Sequence, residues 1–135
     1  MAQDIHSILK KYWGFDTFRS LQEDIIQSVM SGKDTLALMP TGGGKSLCFQ
    51  VPTMARDGIC IVISPLIALM RDQVNNLRVR GIEAFAIFSG MSYREIDIAL
   101  DNCIFGKTKF LYLAPERLYA DIVKERIRHM NVSLF

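Results

Sequence analysis

The chain has 135 residues and sets 16 lysines and arginines against 14 aspartates and glutamates. The resulting net charge of +2 excludes a strongly basic sleeve for nucleic acid and leaves any such contact to locally placed groups. Half of the residues are hydrophobic, which excludes a disordered chain and suffices for the core of one domain over residues 1–135. The start, Met1-Ala2-Gln3-Asp4, carries no basic or apolar leader pattern, and the apolar run Ile59-Cys60-Ile61-Val62-Ile63 is far too short to span a bilayer. No membrane partner is expected. Cys48, Cys60 and Cys103 are scattered, form no C-x-x-C pair and stand far from His6 and His129, so zinc is not expected. Three small buried thiols suit a reducing cytoplasm.

At the N-terminus Ile5, Leu9 and Tyr12 fall at helical spacing, which predicts a short amphipathic helix. The aromatic stretch Trp13-Gly14-Phe15-Asp16-Thr17-Phe18 follows. Ser20 with Glu23 fits a capping box, and Leu21, Ile25, Ile26 and Val29 mark the buried face of a helix ending near Ser31-Gly32. Residues 1–32 thus form a helical opening segment.

Thr35 to Met39 reads as an apolar strand, and it feeds Pro40-Thr41-Gly42-Gly43-Gly44-Lys45-Ser46-Leu47. A strand, a glycine turn and a helix opening with Lys-Ser make a recipe for holding a polyphosphate. Glycines bring bare N–H groups close to an anion, and the helix behind adds unpaired N–H groups and the positive end of its dipole. Lys45 supplies a point charge for the outer phosphates, and the Ser46 hydroxyl can ligate Mg²⁺. The strict pattern G-x-x-x-x-G-K-[ST] asks for glycine where Met39 stands, so the loop departs from it.

The next helix runs from Lys45 through Leu47, Cys48 and Val51, with a kink or restart expected at Pro52. Ile59 to Ile63 is continuous and β-branched, as a central strand of a parallel sheet reads when both faces are covered. Ser64 and Pro65 then suit the N-cap and first residue of a helix over Leu66 to Val79, burying Leu66, Leu69, Met70, Val74 and Leu77. Ala84 to Phe88 is a strand. Ser92-Tyr93-Arg94-Glu95 is a second capping box, opening a helix that buries Ile96, Ala99, Leu100 and Cys103. Phe110 to Ala114 is a strand stopped by Pro115, Leu118, Ile122, Val123 and Ile127 lie on a helix, and Val132 to Phe135 is a last strand. The alternation predicts an α/β fold of three layers around a mostly parallel sheet.

Hydrolysis of a bound triphosphate needs an acidic residue for the metal and the water, and the sequence contains no Asp-Glu dipeptide. The chain is therefore expected to hold a nucleotide and to hydrolyse it poorly. Arg19 and Gln22 lie one helical turn apart after Phe15 and Phe18. They suit the reading of adenine, since an amide can both donate and accept and a ring or guanidinium can stack. They suit equally a helix start over an aromatic plug.

Four ordered stretches, Phe18-Arg19-Ser20-Leu21-Gln22, Met39 to Pro52, Ser64 to Val74 and Leu111-Tyr112-Leu113-Ala114-Pro115-Glu116-Arg117-Leu118, resemble the opening motifs of RecQ-family DNA helicases. The resemblance implies a RecA-like P-loop NTPase domain, ATP and Mg²⁺ as cofactors, and single-stranded or partly duplex DNA as partner. In the family such a motor couples ATP hydrolysis to 3′–5′ unwinding in replication, recombination and repair, in a bacterium at the nucleoid. By resemblance Phe15 (usually Tyr in the family), Arg19 and Gln22 hold adenine. Thr41, Gly42, Gly43, Gly44, Lys45 and Leu47 hold the phosphates, with Lys45 catalytic and Ser46 on Mg²⁺. Ser64-Pro65-Leu66, Ser89-Gly90 and Ala114-Pro115-Glu116 contact single-stranded DNA, although they read equally as well-capped strand-to-helix turns. Arg71 is either a DNA contact or a solvated helix charge. In the family the last strand runs into Asp-Glu-Ala-His, so the sequence is expected to be a piece of a longer enzyme; the alternative is a non-catalytic nucleotide- or DNA-binding module.

Overall fold

The computed structural model describes residues 3–19, 21–39 and 44–135, which fall in two compact units, Met1–Asp57 and Gly58–Phe135. Ser20 and Pro40 to Gly43 lie outside the described residues, and with them the Ser20 capping box and the Thr41, Gly42 and Gly43 part of the phosphate loop.

In the first unit α1 (Ile5–Trp13) buries Ile5, Ile8 and Leu9. Its N-cap is Asp4, whose carboxylate accepts from the backbone N–H of His6 and Ser7 at 3.4 and 3.3 Å. The Ser7 hydroxyl donates to the same carboxylate and holds it below its ordinary pKa. The expected second helix is α2 (Gln22–Met30), and it buries Ile26 and Val29 as the spacing requires. Leu21 corrects the expectation, because it stays half exposed while Gln22 takes the buried place. The third helix, α3 (Leu47–Ala55), starts two residues later than predicted and runs on through Pro52 without a restart. A proline at the sixth position forfeits one hydrogen bond in a helix of nine residues, and the burial of Val51, Pro52 and Ala55 holds the turn together. Ile5, Ile8, Leu9, Ile26, Val51 and Ala55 share one core.

Residues 35–39 form no strand, which corrects the reading of Thr35 to Met39. A strand exists by its ladder of hydrogen bonds, and this stretch belongs to none of the ladders of the sheet. Leu36 and Leu38 are 87% and 80% exposed.

The second unit is the α/β sandwich that the alternation predicts. Four strands, β1 (Ile59–Ile63), β2 (Ala84–Ile87), β3 (Phe110–Leu113) and β4 (Val132–Leu134), lie in the order β2-β3-β1-β4, with every pairing parallel. β1 is central, as its unbroken apolar run requires. Gly58 leads into it at φ +104°, where a side chain would meet the Asn131 carbonyl at 2.7 Å. One sheet face carries Ile59, Ile61, Ile87, Leu111 and Leu113 into a core with Ile96, Ala99, Leu100 and Cys103 of α5 (Tyr93–Phe105) and Val123 of α6 (Asp121–Ile127). The other face carries Tyr112, whose hydroxyl meets α4 (Ile67–Val79). Helices therefore lie on both sides of the sheet, and the unit has three layers.

The capping box of α5 is present in full, with Ser92 Oγ accepting from Glu95 N–H and the Glu95 carboxylate accepting from Ser92 N–H. Arg126 of α6 reaches both Asp97 and Asp101 of α5 and fastens the two helices. β2, β3 and β4 each end one residue earlier than expected, and two helical boundaries differ as well. α4 begins at Ile67 with Leu66 as N-cap, because the Ser64 hydroxyl accepts from Leu66 N–H at 3.2 Å and closes a turn of its own. Its buried stripe is Met70, Val74 and Leu77, leaving Leu66 and Leu69 60% and 44% exposed. Leu118 lies in a separate 3-10 helix, Pro115–Tyr119, that precedes α6.

Candidate nucleotide site and nucleic-acid edge

In the first unit Gln22, one of the residues expected to read a base, lies against Gly44 at the end of the phosphate loop. Gln22 is 2% exposed and its amide is used at both ends. Its Oε1 accepts from Arg19 N–H at 2.8 Å, and its Nε2 donates to the Gly44 carbonyl at 3.1 Å. Gly44 has φ +74°, and a β-carbon there would collide with Gln22 Nε2. Glycine is thus required twice at this position, by conformation and by the close approach of the amide. Burial of Gln22 could not be foreseen from the sequence, because its partner stands 22 residues away.

Lys45 and Ser46 form the turn that leads into α3. Cys48 N–H donates to the Lys45 carbonyl at 3.1 Å, and Gln50 N–H donates to the Ser46 carbonyl at 3.0 Å. Lys45 is exposed, and Ser46 and Leu47 are half-buried. A lysine and a hydroxyl at the head of a helix, with its first N–H groups behind them, are the donor set that a phosphate and its counter-cation require. Among the described residues no group of three His, Cys, Asp or Glu side chains could hold a metal ion unaided. Within this turn the Ser46 hydroxyl is the group that could ligate a magnesium ion. Cys48, read from the sequence as a small buried thiol, is buried and packs its sulfur 3.6 Å from that of Met39, and burial raises its thiol pKa.

Phe15 is 51% exposed, as a ring that stacks on a planar base has to be. Phe18 is half-buried and packs edge-on against His6 at 5.1 Å, while His6 Nε2 lies 3.5 Å from the Glu23 carboxylate. Phe18 thus acts as the aromatic plug of the two readings, and Phe15 as the open ring.

The second unit brings the other three stretches to one edge. The parallel order β2-β3-β1 aligns Ile87 with Leu113 and Leu113 with Ile63, so the turns after these strands emerge side by side. Ser64 N–H donates to the Leu113 carbonyl at 3.1 Å, and Ala114 N–H to the Ile87 carbonyl at 3.2 Å. Across the surface, Ser89 Oγ donates to Glu116 Oε1 at 3.4 Å. Pro65, Leu66, Ser89, Gly90 and Glu116 are exposed, Ser64 and Pro115 are half-buried, and Ala114 is buried. Arg71 of α4 lies over the Phe88 ring at 4.6 Å, so this charge is neither simply solvated nor fully committed. The edge is the carboxyl end of a parallel sheet, where α/β proteins place their ligands.

The sequence matches the DEAD/DEAH box helicase family over residues 19–135. It is 43% identical over 97% of its length to a probable ATP-dependent DNA helicase RecS of Bacillus subtilis, covering 26% of that protein. It is 40% identical over 93% of its length to an ATP-dependent DNA helicase RecQ of Haemophilus influenzae, covering 20% of it. The chain thus spans about a quarter or less of the length of these relatives. Among solved structures, a DUF1998 helicase MrfA bound to DNA and AMPPNP superposes on 93% of the chain with a TM-score of 0.71 at 21% identity, covering 18% of that chain, which supports a RecA-like fold. With residues 19–135 matched, the chain belongs to the DEAD/DEAH box helicase family.

Proposed function

We propose that this chain is the ATP-binding part of a RecQ-type DNA helicase, in which Mg²⁺-ATP hydrolysis drives 3′–5′ unwinding of duplex DNA during recombination and repair in the cytoplasm. The observation that carries the reading is the lodging of the Gln22 amide on the Gly44 carbonyl, which joins a base-reading segment to a phosphate-holding loop within one unit. Phe15 and Arg19 flank the base, Gln22 reads its edge by exchanging the Arg19 N–H and the Gly44 carbonyl for the base, Thr41 to Leu47 hold the phosphates with Lys45 as the cation, and Ser46 meets the metal. Single-stranded DNA lies along residues 64–66, 89–90 and 114–116. The 135 residues alone bind nucleotide without steady turnover, since no Asp-Glu dipeptide stands ready to orient water.

Titration of the chain with a fluorescent ATP analogue and with its GTP counterpart tests the site. Binding of the ATP analogue that weakens at least tenfold in Lys45→Ala, with GTP bound more weakly than ATP, is the expected result. Equal affinity for the two bases removes the role of Gln22. Steady DNA-stimulated hydrolysis that disappears in Lys45→Ala overturns the claim that this part is inactive by itself.

A further inference from the structure

Tyr112 is the bulkiest fully buried side chain of the second unit, 1% exposed, yet it carries a hydroxyl where phenylalanine would fill the same space. That hydroxyl donates to Gln73 Oε1 at 2.7 Å, a short side-chain bond between β3 and α4, 39 positions apart in sequence. Each partner sits close to a different turn of the nucleic-acid edge. Tyr112 stands two positions before Ala114-Pro115-Glu116, and Gln73 lies about two turns into the helix that Ser64-Pro65-Leu66 opens. Backbone bonds already align β1 with β3, but they fix strands and leave the helix free to slide or roll on the sheet. The bond is part-buried, with the Tyr112 side enclosed and Gln73 half-buried, and displacement of the helix would stretch it on the enclosed side, where the hydroxyl has little access to water. α4 also reaches β2 and its turn through Arg71 over Phe88 and through Arg78 Nε to the Ala84 carbonyl at 3.0 Å, so it is pinned along its length.

We propose that Gln73 and Tyr112 are a positioning pair, which sets the turn after β1 against the turn after β3 so that both meet one single strand at once. Neither residue touches the strand. The proposal rests on the DNA-edge reading above. It predicts a particular form of loss: a strand that two turns grip together is held less well when they drift apart, although each turn keeps its own groups.

The test uses the 135-residue chain, a fluorescein-labelled oligothymidylate read by anisotropy, and a fluorescent ATP analogue as the control ligand. Tyr112→Phe keeps the ring in the core and removes only the hydroxyl. Gln73→Met removes the acceptor from the helix side and keeps helix propensity, so the proposal survives a failure of either variant to fold. Each is expected to weaken oligothymidylate binding about fivefold, the scale of one hydrogen bond, with the affinity for the ATP analogue unchanged. In a double-mutant cycle with Leu66→Ala, the loss from Leu66 should shrink in the Tyr112→Phe background, because a displaced turn has less contact to lose. Unchanged DNA affinity in both variants, additive losses in the cycle, or equal losses of DNA and nucleotide affinity overturn the positioning role. A wild-type chain that binds the ATP analogue but no oligothymidylate overturns the DNA edge itself, and the pair with it.

Discussion

Two apolar runs of similar composition meet opposite fates. Ile59–Ile63 lies between β3 and β4, with Ile59, Cys60 and Ile61 at 2% exposure or less. Leu36, Ala37 and Leu38 read as a strand just as readily, yet they are exposed and join no ladder. The difference shows what hydrophobic patterning measures. It reports a capacity to be covered on both faces, and only a neighbour in space turns that capacity into a strand. The largest expected effect tests the covered member. Ile61→Ala removes a side chain enclosed by two helices' worth of core, and it should cost about 2–5 kcal/mol in urea unfolding followed by circular dichroism. A cost below about 1 kcal/mol would mean that β1 is not the centre of the core.

The next effect falls at Gly44. Gly44→Ala forces a β-carbon into a left-handed position and against the Gln22 amide. The backbone conformation alone is worth roughly 1–3 kcal/mol, and displacement of the amide adds to it. Affinity for the ATP analogue should fall at least tenfold, and the second unit's core should unfold at an unchanged urea midpoint. If Gly44→Ala binds the analogue normally, the contact between Gln22 and Gly44 is not the junction of base and phosphate recognition.

The contrast also marks what the sequence could disclose. Features whose partners lie within one turn were legible: Ser92 with Glu95, the stripe Ile96-Ala99-Leu100-Cys103, and the lysine-serine head of α3. Features decided at a distance were not. Gln22 is buried because Gly44 comes to it, and Leu66 and Leu69 are exposed because the Ser64 turn delays α4 and narrows its stripe. The Tyr112 hydroxyl is silent in a motif that reads as plain apolar strand, since its acceptor lies on another element. The three turns of the nucleic-acid edge were individually visible, but only the strand order places them side by side.

A local feature should break locally. Ser92→Ala removes the hydroxyl that accepts from Glu95 N–H and should cost about 1 kcal/mol, whereas Ser92→Gly should cost only a few tenths. Asp4 offers a pH-dependent counterpart in the other unit. Its carboxyl is held below the ordinary value first by the Ser7 hydroxyl, so the folded state favours the charged form. The cap is fully present above the ordinary aspartate range and is lost as pH falls through the depressed value. Amide exchange at His6 and Ser7 should therefore gain protection-factor loss only in acid, and Asp4→Ala should show that loss at every pH.

The smallest effect returns to the uncovered run and decides whether the comparison holds. Leu36→Ser replaces an apolar side chain that is 87% exposed, so little burial is forfeited and the urea midpoint should move by less than about 0.5 kcal/mol. Solubility should rise, since an exposed pair of leucines is a site for association with another chain. A loss of 2 kcal/mol or more would place Leu36 in a core, and the run would then be a strand with a partner. Leu38→Ser distinguishes the two cases further. Alternation along a strand puts residues 36 and 38 on one face, so in a paired strand both substitutions must be costly together, while in an unpaired segment each is silent.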